Sequence, residues 1–224
     1  MTLLSNFVRK SLKITGFLLF STNVYANDIC ERFYKEPKIT TDIKYGDVEY
    51  KSVSRFEISK FKNLKNPSAT LGLTYADFSI GYDFGFEKYK IDDGVCAILS
   101  SINFSIGYKN LDVLIDDKYQ EGTCEYNAIK EHEQGHIKIY RQELKYYGNL
   151  ILDELKRIAG DVGPIFFDGP VSGKKIGNKI QKMVFESDNI KLLKLKLEDA
   201  LMDKNQSYDN KEEYARVKGI CKGW

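Results

Sequence analysis

A change of hydrophobic period at Cys124 constrains the fold of this chain more than any other feature. Upstream, from about Val48 to Ile115, aromatic and β-branched residues dominate. There Phe78, Ile80, Tyr82, Phe84 and Phe86 alternate with Ser79, Gly81, Asp83 and Gly85. That is period two, which puts the aromatics on one face of a strand and the small polar residues on the other. Asp93-Gly94 predicts a tight turn, Val95–Tyr108 a second strand, Lys109-Asn110 another turn and Leu111–Ile115 a third strand. The expectation is an antiparallel β-meander.

After Cys124 the period becomes 3.6. With 100° per residue, Ala128, Ile129, His136, Ile139, Glu143, Tyr147, Leu150 and Glu154 fall within about 60° of His132. Lys130, Gln134, Arg141 and Lys145 point the other way, and Gly148 falls on that outer face. One long helix over roughly Glu125–Ile158 accounts for the pattern. Gly160, Gly163-Pro164 and Gly169-Pro170 form a connector. A second helical pattern runs from Gly173 to Lys204, with Ile176, Ile180, Met183, Ile190, Leu197 and Leu201 inside and a row of lysines outside. A short stretch, Lys211–Lys218, follows. The fold class expected is therefore α+β, an antiparallel meander packed on a long helix and a second, returning C-terminal helix.

The first residues bear on compartment. Arg9, Lys10 and Lys13 precede the apolar run Ile14–Phe20 and then Ser21 to Ala26, the order of a secretory signal peptide cleaved after Ala26. The run is shorter than the about 20 residues that cross a bilayer. Losing residues 1–26 leaves 198 residues with 31 bases and 32 acids, a formal charge of −1. Nothing in that balance favours nucleic acid. A periplasmic or secreted location follows, and four cysteines in an oxidising compartment read as two disulfides. Cys96–Cys124 is expected to pin a strand to the helix start, and Cys30–Cys221 to join the two ends. A free catalytic thiol at Cys124 is the rival reading.

The chain has only two histidines. They are His132 and His136, with Glu133 between them, an arrangement that chance gives roughly once in a thousand placements. Positions i and i+4 stack one turn apart on a helix, so both imidazoles can reach one ion, and nitrogen ligands suit Zn²⁺. Glu133, beside the first histidine, is placed to act as general base on a zinc-activated water. Residues 27–224 then read as one zincin-like metallopeptidase domain. The positions that would extend the motif to a third histidine are Ile139 and Gln142, so a carboxylate is expected instead. If the second helix folds back with Gly173 opposite Ile158, Glu198 comes level with Glu133 and is the favoured third ligand, with Glu154 and Asp209 behind it. Tyr126 and Tyr140 are placed either to steady an oxyanion or to pack against the sheet.

The run from Cys124 to His136, preceded by Gly122-Thr123, resembles a family of bacterial secreted proteins regarded as zinc-dependent proteases. Its members carry a Gly-x-Cys-x-Tyr segment just before the histidine–glutamate–histidine helix. Thr70 to Thr74, Ile106-Gly107-Tyr108, Tyr208-Asp209 and Glu213-Tyr214 also resemble that family. The resemblance implies a periplasmic or surface zinc peptidase acting on a peptide or protein. The alternative expectation is a non-catalytic zinc-binding or envelope interaction protein, using the tyrosine-rich sheet or the lysine-rich helix.

Overall fold

A computed structural model describes residues 29–61, 70–92, 94–222 and 224. The signal peptide expected over 1–26 lies outside the described residues. The described elements are β1 (Lys38–Lys44), β2 (Asp47–Val53), α1 (Arg55–Ser59), β3 (Gly72–Ile91), β4 (Gly94–Asp116), α2 (Cys124–Gly160), β5 (Ile165–Asp168), α3 (Gly173–Phe185), α4 (Asp188–Tyr208) and α5 (Lys211–Gly219).

Everything is built on β4, which runs 23 residues without interruption. The aromatic alternation of β3 is met by a matching alternation here. Ile80, Tyr82 and Phe84 stand opposite Ile106, Phe104 and Ile102, while Gly81, Asp83 and Gly85 stand opposite Ser105, Asn103 and Ser101. One face of the hairpin is therefore apolar, and the other is small and polar. The chain reverses between Ile91 and Gly94, where Asp92 takes a left-handed conformation (φ 44°).

The sheet is not the antiparallel meander expected. Lys109-Asn110 makes no turn, because Leu111–Ile115 simply continues β4. The register slips at a bulge between Ala76 and Phe78 instead, and β3 stays paired on both sides of it. On the other edge of β4 lie β5, antiparallel to it, and then β1 and β2, both parallel to it. The sheet is thus mixed and open. β1 carried little signal: Lys38–Lys44 reads KITTDIK, with only two apolar residues.

α2 begins at an N-cap, Thr123, whose hydroxyl accepts from the Tyr126 amide. Its 37 residues hold no proline. At 1.5 Å per residue it is about 55 Å long and follows the sheet. Ile129, Ile137, Leu144, Ile151, Leu155 and Ala159 are buried in the common core with Ile102, Phe104 and Ile106 of β4. Each such isoleucine or leucine contributes about 1.5–3 kcal/mol by leaving water. Gly148 belongs to this buried face and not to the outer one. A Cβ there would touch Leu144, Ile43 and Ile106, whereas Leu150 is exposed. The sheet therefore meets the row Ile129, Glu133, Ile137, Leu144 and Gly148, and the histidines lie to one side of it.

The returning helix is two helices. α3 ends at Phe185 and packs on the sheet, with Phe185 against Tyr82 and Phe104. α4 then starts after Ser187 and runs back along α2. Val184 replaces Met183 as the buried residue of that turn. Asn189 meets Glu154, Lys204 pairs with the buried Glu143, and Asn205 meets His136.

The disulfides are Cys30–Cys96 and Cys124–Cys221, with Cα separations of 5.6 and 5.9 Å. This corrects both expected pairs and leaves no thiol at Cys124. Cys96 sits at the start of β4 and Cys124 lies beyond its far end. A strand of that length spans on the order of 60–70 Å, far outside the reach of a disulfide. No helix among the described residues is long and apolar enough to cross a membrane.

Candidate metal centre

His132 and His136 project from the third and fourth turns of α2 towards the junction of α4 and α5. Their Nε2 atoms are 3.3 Å apart. Asp209, the residue just after α4, places Oδ1 at 3.1 Å from His132 Nε2 and 3.2 Å from His136 Nε2. The three atoms form a nearly equilateral triangle. A tetrahedral zinc ion with bonds of about 2.0–2.1 Å holds neighbouring donors about 3.3–3.4 Å apart, so the triangle has the size of one face of that tetrahedron.

The outer nitrogens decide which way the protons lie. His132 Nδ1 stands 3.2 Å from Glu213 Oε1, and a carboxylate can only accept. His136 Nδ1 stands 2.7 Å from Asn205 Oδ1, and the Asn205 amide nitrogen donates to the Leu201 carbonyl at 2.7 Å. Both Nδ1 atoms therefore donate, which turns both Nε2 lone pairs inwards. With both rings neutral, two imidazole lone pairs and a carboxylate oxygen converge with no hydrogen among them, an arrangement that a bound cation would satisfy. The donor set fits a divalent ion that accepts nitrogen and oxygen ligands.

Without an ion, protons supply the charge. Burial works against a charged His136, but the Asp209 hydrogen bond and the Glu133 charge outweigh it and push the imidazole up to about 9. His132 is raised too, with burial again opposed by Asp209, Glu133 and Glu213. Asp209 is held well below the usual carboxylate range, its histidine contacts overcoming the effect of burial. Arg216 is the main influence holding Glu213 down, to about 2.

Glu133 faces the sheet. Its Oε2 accepts from Thr74 Oγ1 at 2.7 Å, and burial raises its pKa. Gly72 makes room for it, since a Cβ there would lie 2.6 Å from Glu133 Oε1. The ligating atoms of His132, Glu133 and His136 all lie within 4.8 Å of one another, so the three can hold one ion.

Of the carboxylates proposed as third ligand, Asp209 is the one that meets the histidines. Glu198 is exposed on α4, about two turns before Asn205. Glu154 binds Arg157 and Asn189. The break at Ser187 explains the misplacement: α3 lies on the sheet, so α4 makes the main run along α2, and its register differs from that of an unbroken helix. Tyr126 and Tyr140 pack, Tyr140 at 5.6 Å from the Tyr108 ring. The tyrosines at the site are Tyr208, stacked on His132 at 5.1 Å and 13°, and Tyr214, tilted over the same ring at 5.6 Å. Tyr208 lies over Gly135, where an added Cβ would overlap its hydroxyl and ring. Spacing did not reveal Asn205, Tyr208, Glu213 or Tyr214. Only the family resemblance had drawn in the two tyrosines and Glu213.

Comparison with protein-family models, curated proteins and solved structures finds no match to this chain.

Proposed function

We propose that this chain is an exported zinc metallopeptidase. The observation that carries the reading is the triangle of two imidazole nitrogens and the Asp209 oxygen, beside a buried glutamate. His132, His136 and Asp209 would hold the ion, with Glu213 and Asn205 orienting the rings. Zinc bound there would polarise a water and a peptide carbonyl. Glu133, adjacent to the first histidine and raised by burial, takes the proton of the attacking water and returns it to the leaving amine. Thr74 keeps one carboxylate oxygen bonded and so fixes the other. The resemblance of residues 122–136 to secreted zinc-dependent proteases supports the same chemistry, and two disulfides suit an exported chain.

A second reading, metal binding without cleavage, is favoured by one observation. The histidine side chains are only 7% and 9% exposed. One experiment separates the two. Elemental analysis of the exported chain should find one zinc, lost in His132→Ala. Glu133→Gln should keep the zinc and lose hydrolysis of a peptide library. Zinc retained with hydrolysis unchanged in Glu133→Gln would refute the mechanism; zinc retained with no hydrolysis even in the unaltered chain would establish the second reading.

A further inference from the structure

Half of the metal centre is delivered by a segment held to α2 along a single stripe. From its inner end outwards, Asp209 meets His132 and His136, Glu213 meets His132, and Arg216 reaches Glu131 at 3.2 Å. Val217 and Cys221 pack with Ala128 in a small cluster joined to the main core only through the partly buried Trp224. The stripe ends at the Cys124–Cys221 disulfide, on the first residue of α2. α5 thus owes its place to a small apolar cluster, the Tyr214 ring over His132, a few charged contacts and one covalent bond.

The two disulfides also differ in access. Cys30 and Cys96 are both fully buried, whereas Cys124 is exposed. Cys221 is itself buried, at 6% exposure, so the second bond can be approached only from its Cys124 side, whereas the first is enclosed on both.

We propose that the segment from Asn205 to Cys221 is a clasp locked by the Cys124–Cys221 disulfide, so that the metal centre reaches full affinity only once that bond has formed. This rests on the metal-binding part of the reading above. Closing the bond removes two electrons and two protons from the thiols of Cys124 and Cys221. They pass by thiol–disulfide exchange to a carrier disulfide of the oxidising compartment, which leaves as the dithiol. The locked clasp then holds Glu213 and Asp209 against the imidazoles before any ion arrives, sparing the ion the cost of ordering them. Coupling of this kind is reciprocal, so a bound ion must in turn protect the disulfide.

The test uses zinc alone as the ligand. Zinc affinity is measured by chelator competition on the oxidised chain, on Cys124→Ser/Cys221→Ser and on Cys30→Ser/Cys96→Ser. Serine avoids new thiolate ligands. Loss of the clasp bond should weaken zinc by about 10–100-fold, the range found when groups orienting metal ligands are lost, and the other pair should leave it unchanged. Independently of how the variants fold, the unaltered chain is exposed to a phosphine reductant and its freed thiols are alkylated and mapped. Cys124–Cys221 should open first, and zinc should slow that opening without affecting Cys30–Cys96. Unchanged affinity in the clasp variant, or equal reduction with and without zinc, would overturn the clasp while leaving the metal centre standing. An oxidised chain that takes up no zinc would overturn both.

Discussion

α2 and the C-terminal segment beyond Lys204 each supply half of the candidate metal centre, by opposite means. α2 is held by the sheet through a row of wholly buried aliphatic side chains, and its histidines keep their spacing because one turn separates them. The C-terminal segment contributes Asn205, Asp209 and Glu213 from the end of one helix, a linker and the start of another. Its own buried residues are few: Val217 and Cys221 over Ala128. The difference teaches that a rigid element can carry ligands by local geometry alone, whereas a loosely cored segment needs anchors at both ends. Here those anchors are the α4–α2 packing and the disulfide.

The comparison breaks most directly at the histidines. His136→Ala should abolish zinc uptake and lower the thermal transition of the metal-free protein only modestly, because the Asp209 and Asn205 contacts are lost but the core row is untouched; zinc content together with a melting curve checks this. On the other half, Asp209→Ala should weaken zinc by more than about a hundredfold, beyond the range for orienting groups, while Glu198→Ala should do nothing. Equal losses in these two would return the third ligand to α4. Gly135→Ala tests how tightly the halves are pressed together. Its Cβ would displace Tyr208, so zinc should weaken by roughly tenfold, with about 1–3 kcal/mol lost from stability as for other overpacked sites. Unaltered unfolding in urea would show that Tyr208 moves freely. Glu213→Ala should cost zinc affinity within about 10–100-fold, mostly recovered in Glu213→Gln, whose amide oxygen still accepts from His132. The smallest effect on the metal is expected from Thr74→Val. It leaves zinc binding unchanged, but strips a buried carboxylate of its donor and costs about 1–3 kcal/mol, read from denaturant unfolding.

The sheet and the site were legible to different depths. Period two over Phe78–Phe86 announced β3 and its apolar face, because alternation is a property of one strand. It could not say where β4 would end: Lys109-Asn110 looks like a turn, yet the pair is absorbed beside a bulge. Nor did it show β1, or that β1 and β2 would both lie parallel to β4, a pairing that draws on backbone hydrogen bonds no side-chain pattern records. The same limit applied to the cysteines. Their even number implied two bonds, but which ones formed depended on the ends of β4 lying far apart.

From the residues themselves came everything that acts over one turn or one pleat: a helix carrying His132, Glu133 and His136, the imidazoles one turn apart, and the aromatic face of β3. The tertiary structure alone decided that Asp209 and not Glu198 meets those histidines, that Glu213 and Asn205 turn their lone pairs inwards, and that Cys221 closes on Cys124. Contacts of the first kind follow from fixed backbone periods. Those of the second depend on where α4 breaks from α3 and in what register it returns, which is settled by packing across the whole sheet.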